Sequence, residues 1–221
     1  MATISKENYL KTIFLQNSLS GKMITSTELA KELNVSKAAI SEMANKLSQQ
    51  GFIEYKKFKG IKLLAKGKKI AVDVIRKHRL WELFLIETLG LSWDEVHAEA
   101  EKLEHCTTLN LIDKIDEHLN FPILDPHGEP IPNKKGEFRA EKNDIPMKEC
   151  FIDKKYLIVR VNDRSDELMK YLSKINVYLN KEITVLEKIN FDGSILIEND
   201  KLKQMLSEKI TENIFVREIE K

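Results

Sequence analysis

Residues 25–64 read TSTELAKELNVSKAAISEMANKLSQQGFIEYKKFKGIKLL, and the punctuation of this stretch sets the first domain. Thr25 and Glu28 stand at capping-box spacing, where two side chains satisfy the free N–H groups at a helix start. That helix is expected to stop near Asn34. Ser36 then caps a second helix, which Gly51 ends. Two short helices on a tight turn form a helix-turn-helix. Apolar residues alternate imperfectly from Phe52 to Leu64, with Lys59-Gly60 as the expected hairpin tip. A helix-turn-helix followed at once by a basic hairpin is a winged helix.

Working outward, ISKENYLKTIFLQ upstream is a helix with Ile4, Tyr9, Leu10, Ile13 and Phe14 on one face. Downstream, a long helix is expected from about Lys66 to Leu89. Ser92 and Glu95 make a second capping box before HAEAEKLEHC (97–106), and TLNLIDKIDEHL (108–119) is a further helix. All five prolines fall between Pro122 and Pro146, so this segment cannot continue a helix and reads as an irregular, partly mobile connection. Beyond it, YLIVRVN, EITVLEKI, SILIEN and NIFVREI read as strands and DELMKYLSKI as a helix, with Asp192-Gly193 as a hairpin turn. This suits a small barrel-like domain. The expected division is 1–73, 74–145 and 146–221.

Charge follows the same division. Residues 1–80 hold 16 Lys/Arg against 6 Asp/Glu, residues 81–145 hold 6 against 15, and the remainder is balanced. A basic first third suits phosphates and an acidic middle suits cations. The first turns of a second helix in this unit enter the DNA major groove. The candidates there are Ser36, Lys37, Ala38, Ala39 and Ser41, with Lys46 further along. On the wing, Lys56, Lys57, Lys59 and Lys62 suit phosphate contacts, which carry affinity without reading sequence. A bare helical hairpin with a solvated lysine face is the bland alternative.

In HAEAEKLEHC, with His97 at 0° and about 100° per residue, Glu101 falls near 40°, Glu104 near −20° and His105 near 80°. Four metal-capable side chains therefore share one face. His78 and Glu82 form an i, i+4 pair on the preceding helix, and Asp125 and His127 lie in the proline-rich segment. Four of the five histidines fall in these clusters. Mixed imidazole and carboxylate donors suit Mn²⁺, Fe²⁺, Co²⁺ or Zn²⁺. Cys106 falls about 180° from His97 and drops out; Cys106 and Cys150 read as free thiols. HExxH is absent and no nucleophile–base motif stands out, so an enzyme is not expected. No apolar run of 18 residues occurs and MATISKENYL lacks a secretion signal, so a cytosolic, non-membrane protein is expected.

Taken together in order, NYLKTI (8–13), TSTELAKELNVSKAAISEMANKL, KGIKLLAKGKK, HRLWELFL (78–85), WDEVHAEAEKLEH (93–105) and FPILDPHGEPIP (121–132) resemble the diphtheria-toxin-repressor/manganese-transport-regulator family of bacterial metal-dependent transcription factors. The resemblance implies a mainly α protein: a winged helix-turn-helix, a helical dimerisation and metal-binding domain, and a C-terminal SH3-like β-barrel. It also implies a homodimer on operator DNA with no small organic substrate, controlling metal-uptake genes. Two neighbouring metal sites are implied. One would use Glu101, Glu104, His105 and Asn8. The other would use His78, Glu82, His97, Asp125, His127 and an acidic residue of the third domain, best matched by Asp163, with Asp166 and Glu167 as weaker matches. Manganese-type members carry aspartate, and iron-type members methionine, where this chain has Asn8. Glu101 stands where iron-type members have cysteine, and Asp125 where many longer relatives do. This set favours Mn²⁺, then Fe²⁺, with Zn²⁺ or Co²⁺ able to bind in vitro. The competing readings are a winged-helix regulator of another ligand, or a metal-binding enzyme or buffer protein.

Overall fold

The computed structural model describes residues 4–20, 22–57, 59–140, 143–162 and 165–219. Helix α1 (Ile4–Ser20) sinks Tyr9, Leu10 and Ile13 into the core of the first domain. Helices α2 (Ser26–Glu32) and α3 (Lys37–Gln49) follow, each held at its start as the sequence implies. Thr25 accepts from the Glu28 N–H while Glu28 accepts from the Thr25 N–H, and Ser36 accepts from the Ala39 N–H. Tyr9 ties α1 to α3 by donating to the Ile40 carbonyl at 3.1 Å.

Strands β1 (Ile53–Lys56) and β2 (Gly60–Leu63) form the wing, and Ile24 bridges to Ile61 at its edge. The expected tip shifts by one residue, because Gly60 pairs with Lys56 and belongs to the strand. Gly60 sits at φ +120°, and a Cβ there would lie 2.9 Å from the Ile24 carbonyl oxygen, so the edge bridge needs glycine.

Helix α4 (Ala65–Leu89) is the spine. At about 1.5 Å per residue its 25 residues run from the wing core at Ala71 to a second core of Leu80, Ile112, Ile115 and Ile131. Helices α5 (Val96–Cys106) and α6 (Leu109–His118) pack on its second half. The Ser92/Glu95 box is half formed: Glu95 accepts from the Ser92 N–H and hydroxyl, but a turn intervenes and α5 starts only at Val96.

The proline-rich segment is irregular as expected, yet it is folded rather than loose. Asp125, His127 and Ile131 are buried in it, and bridges join Leu124 to Pro130 and Pro132 to Phe138. Arg139 anchors its end on Asp116 at 2.9 Å, and Arg76 of α4 reaches the same carboxylate at 2.8 Å.

The C-terminal part contains β3 (Ile145–Pro146), β4 (Lys155–Val161), α7 (Asp166–Lys174), β5 (Glu182–Lys188), β6 (Ile195–Asn199), β7 (Leu202–Leu206), α8 (Glu208–Thr211) and β8 (Ile214–Glu218). Its six strands are antiparallel in the order β3-β8-β4-β5-β6-β7. Bulges at Ile158/Arg160 and Val185/Glu187 bend the sheet around a core that includes Tyr156, Val185 and Leu206. Sequence pattern missed β3 and β7. The first has two residues, and the second, LKQML, shows no alternation of apolar and polar side chains.

Candidate metal centre

Helix α4 presents His78 and Glu82 one turn apart, both buried, with His78 Nε2 3.0 Å from Glu82 Oε1. From α5, His97 Nδ1 lies 3.1 Å from Glu82 Oε1 and 3.1 Å from His78 Nε2. The proline-rich segment brings His127 Nδ1 to 3.6 Å from Glu82 Oε2. Asp125 Oδ1 accepts from the His127 and Glu129 N–H groups at 2.8 and 2.9 Å, which holds this turn in shape. Ligand atoms of Glu82, Asp125 and His127 lie within 4.8 Å of one another, all three buried.

The second cluster is Glu101, Glu104 and His105 on α5, again within 4.8 Å. His78 joins the two clusters, since its Nδ1 lies 2.6 Å from Glu104 Oε2. The helical wheel places all four α5 residues on one face. On that face His97 meets His78 and Glu82 of α4, α1 meets Glu101, Glu104 and His105, and ligand atoms of His78, His97 and Glu101 also lie within 4.8 Å of one another.

Three residues of α1 face α5. Asn8, expected from the resemblance, has a buried Oδ1 and lines the same cleft as Lys11, His78 and Glu101. Two others were missed. Glu7 Oε2 lies 2.6 Å from His105 Nδ1, and Lys11 Nζ donates to Glu101 Oε1 at 2.5 Å and Glu104 Oε2 at 2.7 Å, with His78 Nδ1 3.2 Å away. Glu7 and Lys11 stand one turn apart, on the side of α1 away from Leu10 and Ile13. That spacing was the only available signal, and it carried no information about the partner helix.

The electrostatics show how these carboxylates can be buried. Burial pushes the Glu82 carboxyl up, but His78 and the close imidazoles of His127 and His97 outweigh it and hold the group well below the usual range. Glu101 is also lowered, against burial, by Lys11 and His78. Burial and Lys11 oppose a charged His78, yet Glu82 and Glu104 raise its pKa above the ordinary value. Lys11 stays charged against burial because Glu104 and Glu101 hold it so.

The polar atoms are not fully satisfied. Among the described residues, no hydrogen bond reaches the buried Asn8 Oδ1, Glu82 Oε2, Glu104 Oε1 or His105 Nε2. With its Nδ1 on Glu7, His105 can offer Nε2 as a lone pair, and that atom lies 3.3 Å from Glu104 Oε1. Buried polar atoms left in this way are costly, and a hard or borderline divalent cation would satisfy nitrogen and oxygen donors together. The residues present therefore fit a metal.

The third domain touches the centre through FPILDPHGEPIP. The Val161 N–H donates to the His127 carbonyl at 2.9 Å, and Arg160 grips Glu129 at 3.0 Å and Asp144 at 2.8 Å. A Cβ on Gly128 would lie 2.1 Å from the Val159 carbonyl oxygen, so β4 presses directly on this turn. Asp163 lies outside the described residues, and so does the side chain of Asp166; Glu167 is exposed. On the DNA-facing side, Ser36, Lys37, Ala38, Ala39 and Lys46 are exposed, as are Lys56, Lys57, Lys59 and Lys62 of the wing, while Ser41 is half-buried. Among the described residues, no helix is long and apolar enough to cross a membrane.

Comparison with known proteins agrees along the chain. Residues 1–61 match the family described as "Iron dependent repressor, N-terminal DNA binding domain" and residues 65–133 match "Iron dependent repressor, metal binding and dimerisation domain". Residues 145–218 match the FeoA domain. The iron-dependent repressor IdeR of Mycobacterium tuberculosis is 34% identical over 128 residues, 57% of this chain and 54% of the relative, so the chain spans about half the length of that protein. The HTH-type transcriptional regulator MntR of Oceanobacillus iheyensis is 31% identical over 121 residues, 55% of this chain and 81% of the relative. A solved manganese-dependent transcriptional repressor in complex with manganese superposes with a TM-score of 0.90 at 31% identity, covering 97% of this chain and all of that one. The chain belongs to the family of iron-dependent repressors and manganese-dependent regulators, proteins that act as transcriptional regulators rather than enzymes.

Proposed function

We propose that this chain is a metal-dependent, DNA-binding transcriptional repressor that acts as a homodimer in the cytoplasm. It would close metal-uptake genes when loaded with Mn²⁺ in the first place or Fe²⁺ in the second. Three functional units, 1–73, 74–145 and 146–221, would divide the work. The observation that carries the reading is the seam between α1 and α5. One side of α1 is built into the helix-turn-helix core, and the other supplies Glu7, Asn8 and Lys11 to a buried cluster of carboxylates and imidazoles.

Asn8, Glu101, Glu104 and His105 would hold one ion, and His78, Glu82, His97, Asp125 and His127 the other, with Asp163 as the proposed third-domain ligand. A bound divalent cation supplies charge and fixed coordination where carboxylates otherwise repel. The chain's own residues supply the leverage: whatever is held between α1 and α5 sets the position of α3 relative to the helical domain. Exposed Leu89, Leu109 and Leu111 on α4 and α6 support pairing with a second copy through the helical domain. Two recognition helices at one spacing then fit half-sites about one helical turn apart. Ser36, Lys37, Ala38, Ala39, Ser41 and Lys46 would meet base edges and nearby phosphates, and Lys56, Lys57 and Lys59 the backbone. Linkage requires operator DNA to tighten metal binding by the same factor that metal tightens DNA binding.

Glu101→Ala and His105→Ala test this reading. Both are expected to abolish metal-dependent operator binding while preserving the helical circular-dichroism spectrum. Retention of metal-dependent binding in both variants would contradict it, and a winged-helix regulator of an organic ligand would be indifferent to either change.

A further inference from the structure

We propose that Lys11 is a built-in competitor cation, which neutralises Glu101 and Glu104 in the metal-free chain and must be displaced when a metal occupies their cluster. The inference rests on the metal-sensor reading above. The Lys11 ammonium donates to Glu101 Oε1 at 2.5 Å and Glu104 Oε2 at 2.7 Å, and the residue is only 8% exposed. These carboxylates come from one turn of α5, and the ammonium reaches them from α1, the same helix that carries Asn8. A divalent ion on Glu101, Glu104 and His105 would thus share two carboxylates with a fixed positive charge in a poorly solvated place. The two cations repel, and each weakens the other's hold on the oxygens.

Lys11 has somewhere to go. It lines a cleft of about 280 Å³ that is also bordered by the carboxylates of Glu32 and Glu129 and by Arg79 and Arg160, and a four-carbon stem can swing toward the two carboxylates. The two metal clusters should therefore differ. The ammonium bonds both carboxylates of the α1–α5 cluster, whereas at the other cluster it meets an imidazole, His78 Nδ1, at 3.2 Å; that other cluster therefore fills first, and the α1–α5 cluster fills second and more weakly. The lysine also gives α1 a bond to α5 in the absence of metal, so it sets a threshold rather than abolishing the switch.

The test is a Mn²⁺ titration against a fluorescent metal indicator, without DNA, on the wild-type chain, Lys11→Met and Lys11→Gln. Wild type is expected to show a tight and a weak class of sites. Removing the ammonium is expected to tighten the weak class by about tenfold or more, the scale of one charge-assisted hydrogen bond, and to move the tight class, which it meets at His78, by clearly less. Unchanged or weaker binding of the weak class in both folded variants would overturn the proposal while leaving the metal-sensor reading intact. A wild-type chain that binds no Mn²⁺ would overturn both. Should neither variant fold, a Mn²⁺-loaded wild-type crystal structure decides: an ammonium turned away from either carboxylate supports the proposal, and one still bonded to both refutes it.

Discussion

Glu104 shows how the residue scale works. It is fully buried; one oxygen accepts from Lys11, and the other takes no hydrogen bond but lies 3.3 Å from His105 Nε2. Glu104→Gln keeps the shape and removes the charge. It is expected to weaken Mn²⁺ binding at the α1–α5 cluster by at least the roughly 10–100-fold typical of losing even an outer partner of a metal ligand. Indicator titration reads this directly, and unaltered affinity would remove Glu104 from the site. Much of this chemistry was legible: the wheel of HAEAEKLEHC and the His78/Glu82 spacing named residues that the fold brings together. Glu7 and Lys11 were not legible, because their partners lie 98 and 93 positions away and helical spacing reports only a residue's own face. Which α5 residue meets α4 and which meets α1 was likewise decided by the neighbours.

At the scale of elements, caps and turns were read from local chemistry and the third domain's strands from alternation, so errors fell where those signals fade. The α2 and α3 caps were correct because a cap is settled within four residues. The α5 start was one turn early in effect, since the Ser92–Glu95 bonds close a turn that precedes the helix. The proline-rich segment was legible as irregular but not as buried, because the packing of Ile131, Asp125 and His127 comes from α4 and β4. Two outcomes test the elements. Thr25→Ala removes a two-way cap and is expected to cost about 1 kcal/mol in denaturant unfolding. Gly128→Ala is expected to cost more, about 2 kcal/mol or above, because φ there is +84° and the new Cβ strikes the Val159 carbonyl. A neutral Gly128→Ala would show that β4 does not clamp the ligand-bearing turn.

Over the whole molecule, the basic first third and acidic middle map onto a wing of exposed lysines and a buried cluster of carboxylates. Lys59→Ala is expected to weaken DNA binding to a similar extent on all sequences and to lower the log–log salt slope by about 1, as for one phosphate contact. The thiols report on packing. Burial pushes the Cys150 thiol up to about 12, while Cys106 is exposed. A thiol reagent at pH 8 is therefore expected to label Cys106 on the native chain and Cys150 only after unfolding. Rapid labelling of Cys150 would show that the third domain opens without global unfolding. The central claim is that metal held between α1 and α5 licenses DNA binding, and one measurement meets it head on. A duplex selected from a random pool with Mn²⁺ present is titrated with the wild-type chain, anaerobically, once with Mn²⁺ and once with chelator. Binding should be tight with the metal and fall by about 100-fold, near the upper range of coupling between two sites, with the chelator. Equal affinity under the two conditions would contradict the account.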